Sequence, residues 1–365
     1  MLMEDLVNFF TTNFSIFSQQ YRKESIKYND VYGGVISGDT RYIVKSIRDK
    51  ISKLKKYVEA GNIKIFYTSQ PSYFIEFLVF YLRWIEYILN KIKPATRDIT
   101  ITIYLTSAKK VFPKDGKRLS PLNVNSGVTT TYSYTNRRDV IVFREEEVFK
   151  VAMHEMIHAY NIDSIYIPEL SEKEFQAYFG RKCKLYINES FTDTLACIYN
   201  VLSFSVLLVK FKDSSLLNID SKDVLPIFTK YILKERAYIL EKSKDVLLYE
   251  GYAFNKKGLV QMSHEDESTH ILSYYVLKAM NFHNLEEFVS LLSSQGFYIK
   301  QDYLYISMMA KSVGIIINKS EKENYWSYIS RLKKQHLSPS LRMSVIDIKL
   351  LLKFVKDKLL KSIVT

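Results

Sequence analysis

A chain of 365 residues allows one large domain or two to three smaller ones, and a hydrophobic share of 47% excludes a disordered polypeptide. Gly and Pro are scarce, at 11 and 7, which favours helices, and two cysteines, Cys183 and Cys197, cannot build a disulfide framework, which points to a reducing compartment. The formal net charge of +13 suits a polyanionic partner or an acidic substrate, although the sign alone establishes neither.

The segment from Met1 to Asn8 lacks the basic and long apolar regions of a secretory signal, so a cytoplasmic or otherwise intracellular location is expected. Residues 1–95 are expected to be helical. Val44, Ile47, Ile51, Leu54 and Val58 follow a 3-4-3-4 spacing that predicts a helix packed along a narrow stripe. Seven Lys/Arg and one acidic residue lie between Arg41 and Lys56, either a solvated helix face or a patch for nucleic acid or a membrane surface. The most apolar run, Tyr73 to Ile92, contains Glu76, Arg83 and Glu86, whose burial in lipid would be costly. It is expected to be a core helix ended by Pro94, and no transmembrane segment is expected.

At residue 99 the period changes. Ile99, Ile101, Ile103 and Leu105 alternate with Thr100, Thr102 and Tyr104, which predicts a half-buried strand. A loop with Pro113, Asp115, Gly116 and Pro121 follows, then two further strands, Gly127 to Tyr134 and Val140 to Phe143. The threonine-rich strand 128–134 is expected at a sheet edge. There it is either an ordinary edge made tolerable by polar side chains or a place where an extended peptide substrate adds as a strand.

The stretch from Glu145 to Tyr160 carries His154-Glu155-Met156-Ile157-His158. On a helix, positions i and i+4 stand one above the other, so both imidazoles reach one metal ion with Glu155 beside it. In the H-E-x-x-H pattern two neutral histidines bind zinc and the glutamate takes a proton from a water on the metal. Glu145, Glu146 and Glu147 are expected in the first turn, where the helix dipole favours negative charge, with Val148, Val151, Ala152 and Ala159 near the apolar stripe. A catalytic zinc needs a third protein ligand. Glu189 and Asp193, again i and i+4, lie on a predicted helix that begins about 31 residues past His158; one carboxylate can ligate while the other fixes a histidine tautomer.

His154-Glu155-x-x-His158 followed by Glu189-x-x-x-Asp193 resembles the gluzincin group of zinc metallopeptidases, over roughly residues 97–210. The resemblance implies a zinc peptidase with one Zn2+ held by His154, His158 and Glu189. It further implies Glu155 as general base and Asp193 behind the ligands, bonded to His154. The run His-Glu-Met-Ile-His-Ala also resembles SprT/Spartan-type proteases, which clear proteins crosslinked to DNA. Those take a third histidine soon after the motif, whereas the next one here is His264. A non-catalytic zinc-fold structural or interaction protein is the alternative from another class; an intact Glu155 argues against it.

Downstream, Ser171 to Glu174 predicts a capping box opening a helix toward Leu185. The Glu189 helix continues to Val209, and residues 211–222 look like a surface connection. A polar cluster from Met262 to His270 runs into an apolar helix on which His270 and Tyr274 are i and i+4. Either of these, or Tyr275, is a candidate donor to the oxyanion of peptide hydrolysis, and the other possibility is a hydrogen-bonded core. Residues 321–365 hold ten Lys/Arg against four Asp/Glu, with Lys349, Lys353 and Lys356 on one face of a helix.

The expected fold is α+β and predominantly helical. A zincin-like catalytic core, with a small mixed sheet over the His154–His158 helix, is flanked by helical N- and C-terminal regions. The expected divisions are 1–95, N-terminal and helical; 96–290, the metallopeptidase core; and 291–365, C-terminal, helical and basic.

Overall fold

Six short segments form strands: β1 (Lys27–Asp30), β2 (Lys56–Ala60), β3 (Ile63–Tyr67), β4 (Asp98–Tyr104), β5 (Gly127–Thr131) and β6 (Arg137–Val142), with apolar residues alternating most clearly along β4. In the computed structural model they make one mixed sheet in the order β1-β2-β3-β4-β6-β5. The structure describes residues 2–22, 24–31, 43–114, 117–165, 186–213, 218–255, 258–260, 270–300, 302–312, 325–332 and 339–346. β3, β4 and β6 run parallel, and β2 and β5 pair antiparallel to β3 and β6.

The period of two sorts side chains onto two cores. Ile63, Ile65, Ile101, Ile103, Val140 and Val142 enter the main core with α3 (Ser72–Ile92) and α5 (Val148–Ala159), the single-turn α4 (Pro121–Val124) lying between these two in sequence. Phe66, Tyr104, Ile141 and Phe143 point the other way, onto Ile47, Ile51 and Leu54 around α2 (Lys45–Ile51). β4 is therefore covered on both faces rather than half-buried, and even Thr102 and Tyr104 are buried. Parallel strands with layers on both sides account for this.

The expectation of a helical region over 1–95 is corrected. α1 (Leu2–Gln20) and α3 are helices, but residues 27–67 supply three strands. The stripe from Val44 to Val58 is helical only through Ile51, and Val58 lies on β2 opposite Ile65. A hairpin competes successfully there. Gly61 takes φ 56 between β2 and β3, a conformation that favours glycine, and the pairing buries Val58 in the main core. Because β3 pairs with β4, the sheet also runs across residue 95.

The helices beyond the sheet are organised around α6 (Ile187–Lys212). Among the described residues it is the one helix long and apolar enough to cross a bilayer, and 94% of that apolar window is buried inside the protein. α3 packs near it with polar pins: Tyr81 donates to Asn200 at 2.8 Å and Trp84 to Ser203 at 2.9 Å. Phe10, Phe14 and Phe17 of α1 close around Trp84. After α6 come α7 (Ser221–Tyr249) and a π-helical stretch (Leu272–Leu277) running into α8 (Lys278–His283). α9 (Leu285–Ser294), α10 (Asp302–Ser312) and α11 (Tyr325–Arg331) follow. Last among the described residues, an extended strap, 339–346, bridges Val111 through Ser340 and enters the interior. The protein is thus α+β, 58% helical with a small mixed sheet. The capping box at 171–174, the cluster at 262–269 with His264, and Lys349, Lys353 and Lys356 lie outside the described residues.

Candidate metal centre

α5 is buried on nearly every side: Val148, Val151, Ala152 and Ala159 are all in the core, and His154 and Glu155 are each 6% exposed. The three glutamates do not form its first turn, as the sequence suggested, but precede it. Glu147 caps the helix at φ 61, and each carboxylate has a partner of its own. Glu145 accepts from Gln70, Glu146 from the backbone N–H of Lys110, and Glu147 pairs with the buried Lys110 ammonium at 3.1 Å. Pairing, rather than the helix dipole, accounts for their positions.

One turn of α5 separates His154 from His158, and α6 brings Glu189 against both. His154 Nε2 and His158 Nε2 are 3.1 Å apart, and Glu189 Oε2 lies 3.4 Å and 3.5 Å from them. These three atoms form the candidate metal-holding group among the described residues. Zinc bound tetrahedrally at about 2.0–2.1 Å separates its ligand atoms by about 3.3–3.4 Å, so the triangle has the right size.

The hydrogen bonding agrees with that size. His154 Nδ1 sits 3.0 Å from Asp193 Oδ1 and His158 Nδ1 sits 2.6 Å from Asp163 Oδ2. With both Nδ1–H groups donated to carboxylates, each neutral ring turns a lone pair on Nε2 toward the same point. Glu189 Oε2 is buried there with no hydrogen-bond donor. Three acceptors converging in the interior require a cation, either a proton or a metal ion.

The electrostatics have the same origin. Burial opposes charge on both histidines, yet the carboxylates outweigh it: Asp193 and Glu189 raise His154, and Asp163 and Glu189 hold His158 well above its ordinary value. Burial would raise Glu189, but His158 and His154 hold it well below the usual carboxylate range. Glu155 is shifted upward, by burial first and by Glu189, against the opposing pull of the two histidines and Thr129. A base with a raised pKa is suited to proton transfer near neutrality.

β5 positions Glu155. Thr129 Oγ1 lies 2.9 Å from its Oε2 and 2.8 Å from its backbone carbonyl oxygen, so the hydroxyl donates to one of the two. Gly127, two residues back on the same face, has no room for a side chain: a Cβ would meet Glu155 Cγ and Oε1 at 2.6 Å. β5 is a sheet edge, as its threonines suggested, though it ends at Thr131 rather than Tyr134.

Of the three downstream candidates, two lie near the triangle. The Tyr274 ring is 6.0 Å from that of His154. Its hydroxyl is held well above its ordinary pKa by burial first and then by the charges of Glu189, Glu155 and Asp193. His270 stacks on Tyr186 at 3.9 Å, and its buried Nδ1 has no hydrogen-bond partner; burial lowers its pKa, opposed by Glu189. Tyr275 is engaged elsewhere, its hydroxyl donating to Leu341 O at 2.6 Å. π-helical turns recur at functional sites, and this one turns adjacent tyrosines in different directions.

Sequence reasoning missed the groups behind the triangle. Asp163 reaches back to His158 because Asn161, at φ 57, reverses the chain after α5. Lys150, one turn before His154 on the same helix face, pairs with Asp193, and Lys278 pairs with its other oxygen at 2.7 Å. No protein-family model, no curated protein and no solved structure matches this chain.

Proposed function

We propose that the chain is a zinc-dependent endopeptidase with a zincin-like core. The observation that carries this reading is the convergence of His154 Nε2, His158 Nε2 and Glu189 Oε2, at tetrahedral spacing, beside a buried Glu155. Zinc bound by these three residues would supply Lewis acidity and lower the pKa of a coordinated water to about 7.

The chain's own groups do the rest. Glu155, held against β5 by Thr129, takes a proton from the attacking water and passes it to the departing amine. Tyr274, kept neutral by its surroundings, donates a hydrogen bond to the oxyanion that develops on the substrate carbonyl, and His270 is the second candidate donor. The outer edge of β5 offers backbone groups to an extended peptide, whose added strand would pass beside Glu155. Glu189 supports the gluzincin ligand set over the SprT/Spartan set, since a carboxylate occupies the corner where those proteases use a third imidazole.

The test is elemental analysis of zinc-reconstituted protein together with cleavage of a mixed-peptide library. About one zinc per chain is expected in the wild type and in Glu155→Gln, and much less in Glu189→Ala. Cleavage is expected from the wild type alone, with Glu155→Gln slower by about 10²–10⁴. A wild type that takes up no zinc, or a Glu155→Gln variant that cleaves at full rate, would overturn the reading.

A further inference from the structure

The two imidazoles are supported unequally. Asp163 gives His158 a 2.6 Å contact, and the nearby Lys93 directs its ammonium to Asn161 O rather than to that carboxylate. Asp193 is shared. Its Oδ1 lies 3.0 Å from His154 Nδ1 and also takes the Lys150 ammonium, while its Oδ2 takes the Lys278 ammonium at 2.7 Å. Asp193 and both lysines are each 1% exposed. Lys278 is fixed further by Met343 O at 2.9 Å.

A carboxylate engaged by two ammonium groups is a weaker acceptor for an imidazole N–H, and so returns less electron density to the far nitrogen. The two ammonium groups also place positive charge behind His154, with Glu147 near Lys150 and Glu235 near Lys278, in a medium where charges act at longer range than in water. We infer that Lys150 and Lys278 are positioning residues that act through Asp193 to make His154 the weaker ligand, setting the metal affinity below what the ligand set alone would give. This rests on the proposed metal site and adds a direction to it. In a metal-loaded site His158 and Glu189 would be the stronger pair of ligands and His154 the weaker one.

The direction separates this role from a merely structural one. Damage to a buried ion pair lowers metal affinity, whereas removing an opposing charge raises it. The experiment is zinc titration of metal-free protein against a chromophoric chelator, comparing wild type with Lys278→Met and Lys150→Met, each checked for folding by circular dichroism. Zinc should bind the variants more tightly, on the order of tenfold to a hundredfold, the range in which groups behind metal ligands act. Unchanged or weaker binding in a folded variant overturns the inference while leaving the metal site standing. A wild type that binds no zinc overturns both.

A second measurement needs no substitution at the lysines. Proton spectra of the zinc-loaded wild type should show two downfield imidazole N–H resonances at different shifts, the more downfield one lost in Asp163→Asn. Coincident resonances would remove the asymmetry on which the inference stands.

Discussion

The two sides of the candidate metal centre are built by opposite means. The front, where β5, Glu155 and Tyr274 gather, is assembled from neutral contacts: a threonine hydroxyl, a glycine that makes room, and an aromatic ring. The rear is ionic and dry. Lys110 with Glu147, and Lys150 and Lys278 with Asp193, are almost fully buried, and the strap 339–346 completes them with backbone groups. Met343 and Ser344 donate N–H groups to Glu147 at 2.8 Å and 2.7 Å, and Val345 and Ile346 donate to Glu235 at 3.0 Å and 3.3 Å. The difference teaches that adjustable positioning and rigid anchoring are separated across one helix, so a substitution on either side should have its own signature.

The largest effect is expected at the rear. Glu147→Ala leaves Lys110 buried without its carboxylate and two strap N–H groups without an acceptor, and should cost about 3–5 kcal/mol of stability in chemical denaturation. A loss of activity without destabilisation would break the division. At the front, Gly127→Ala forces Glu155 out of place and should lower peptide cleavage about 10²-fold with zinc content unchanged, since small displacements of a reacting group have effects of that size. An accompanying loss of zinc would show that β5 supports the ligands and not the base alone.

A pH series sharpens the comparison in metal-free protein. The folded-state pKa values of His154 and His158 are raised, so their contribution to stability is complete below the unfolded value of about 6.5 and is lost as pH rises through the folded values. The melting temperature should therefore fall by a few degrees toward alkaline pH. Zinc should protect most there, because metal and protons compete for the same nitrogens. A melting temperature independent of pH would contradict the proton-or-metal account of the triangle. Thr129→Val is the mildest change, expected to cost about 1 kcal/mol as a lost hydrogen bond and to slow cleavage only severalfold.

The front was legible in the sequence because its information is local. His154, Glu155 and His158 share a helical turn, Glu189 stands at the start of another predicted helix, and the threonine-rich run through Thr129 marks a strand. The rear was not, since nothing in the spacing of residues 147, 193, 235, 278 and 343 says that they meet. Lys150 carried a partial signal, standing four residues before His154 and so on the same face of α5. Asp163 carried another, a carboxylate shortly after an asparagine that readily adopts the left-handed turn. The stripe from Val44 to Val58 failed for a different reason: its spacing fits a helix, but the gain from pairing β2 with β3 is a tertiary one that periodicity does not encode.

The strap has a consequence for how the chain matures. Its residues emerge from the ribosome after every element they bind, and Met343 lies 196 positions beyond Glu147. Until they arrive, Glu147 and Glu235 lack their backbone donors, and Lys278 lacks Met343 O. The interior behind the histidines can then reach its final state only after synthesis has passed residue 346. A nascent chain paused earlier would hold a formed sheet and helices around an unfinished centre, a natural order in which the candidate metal centre is completed last.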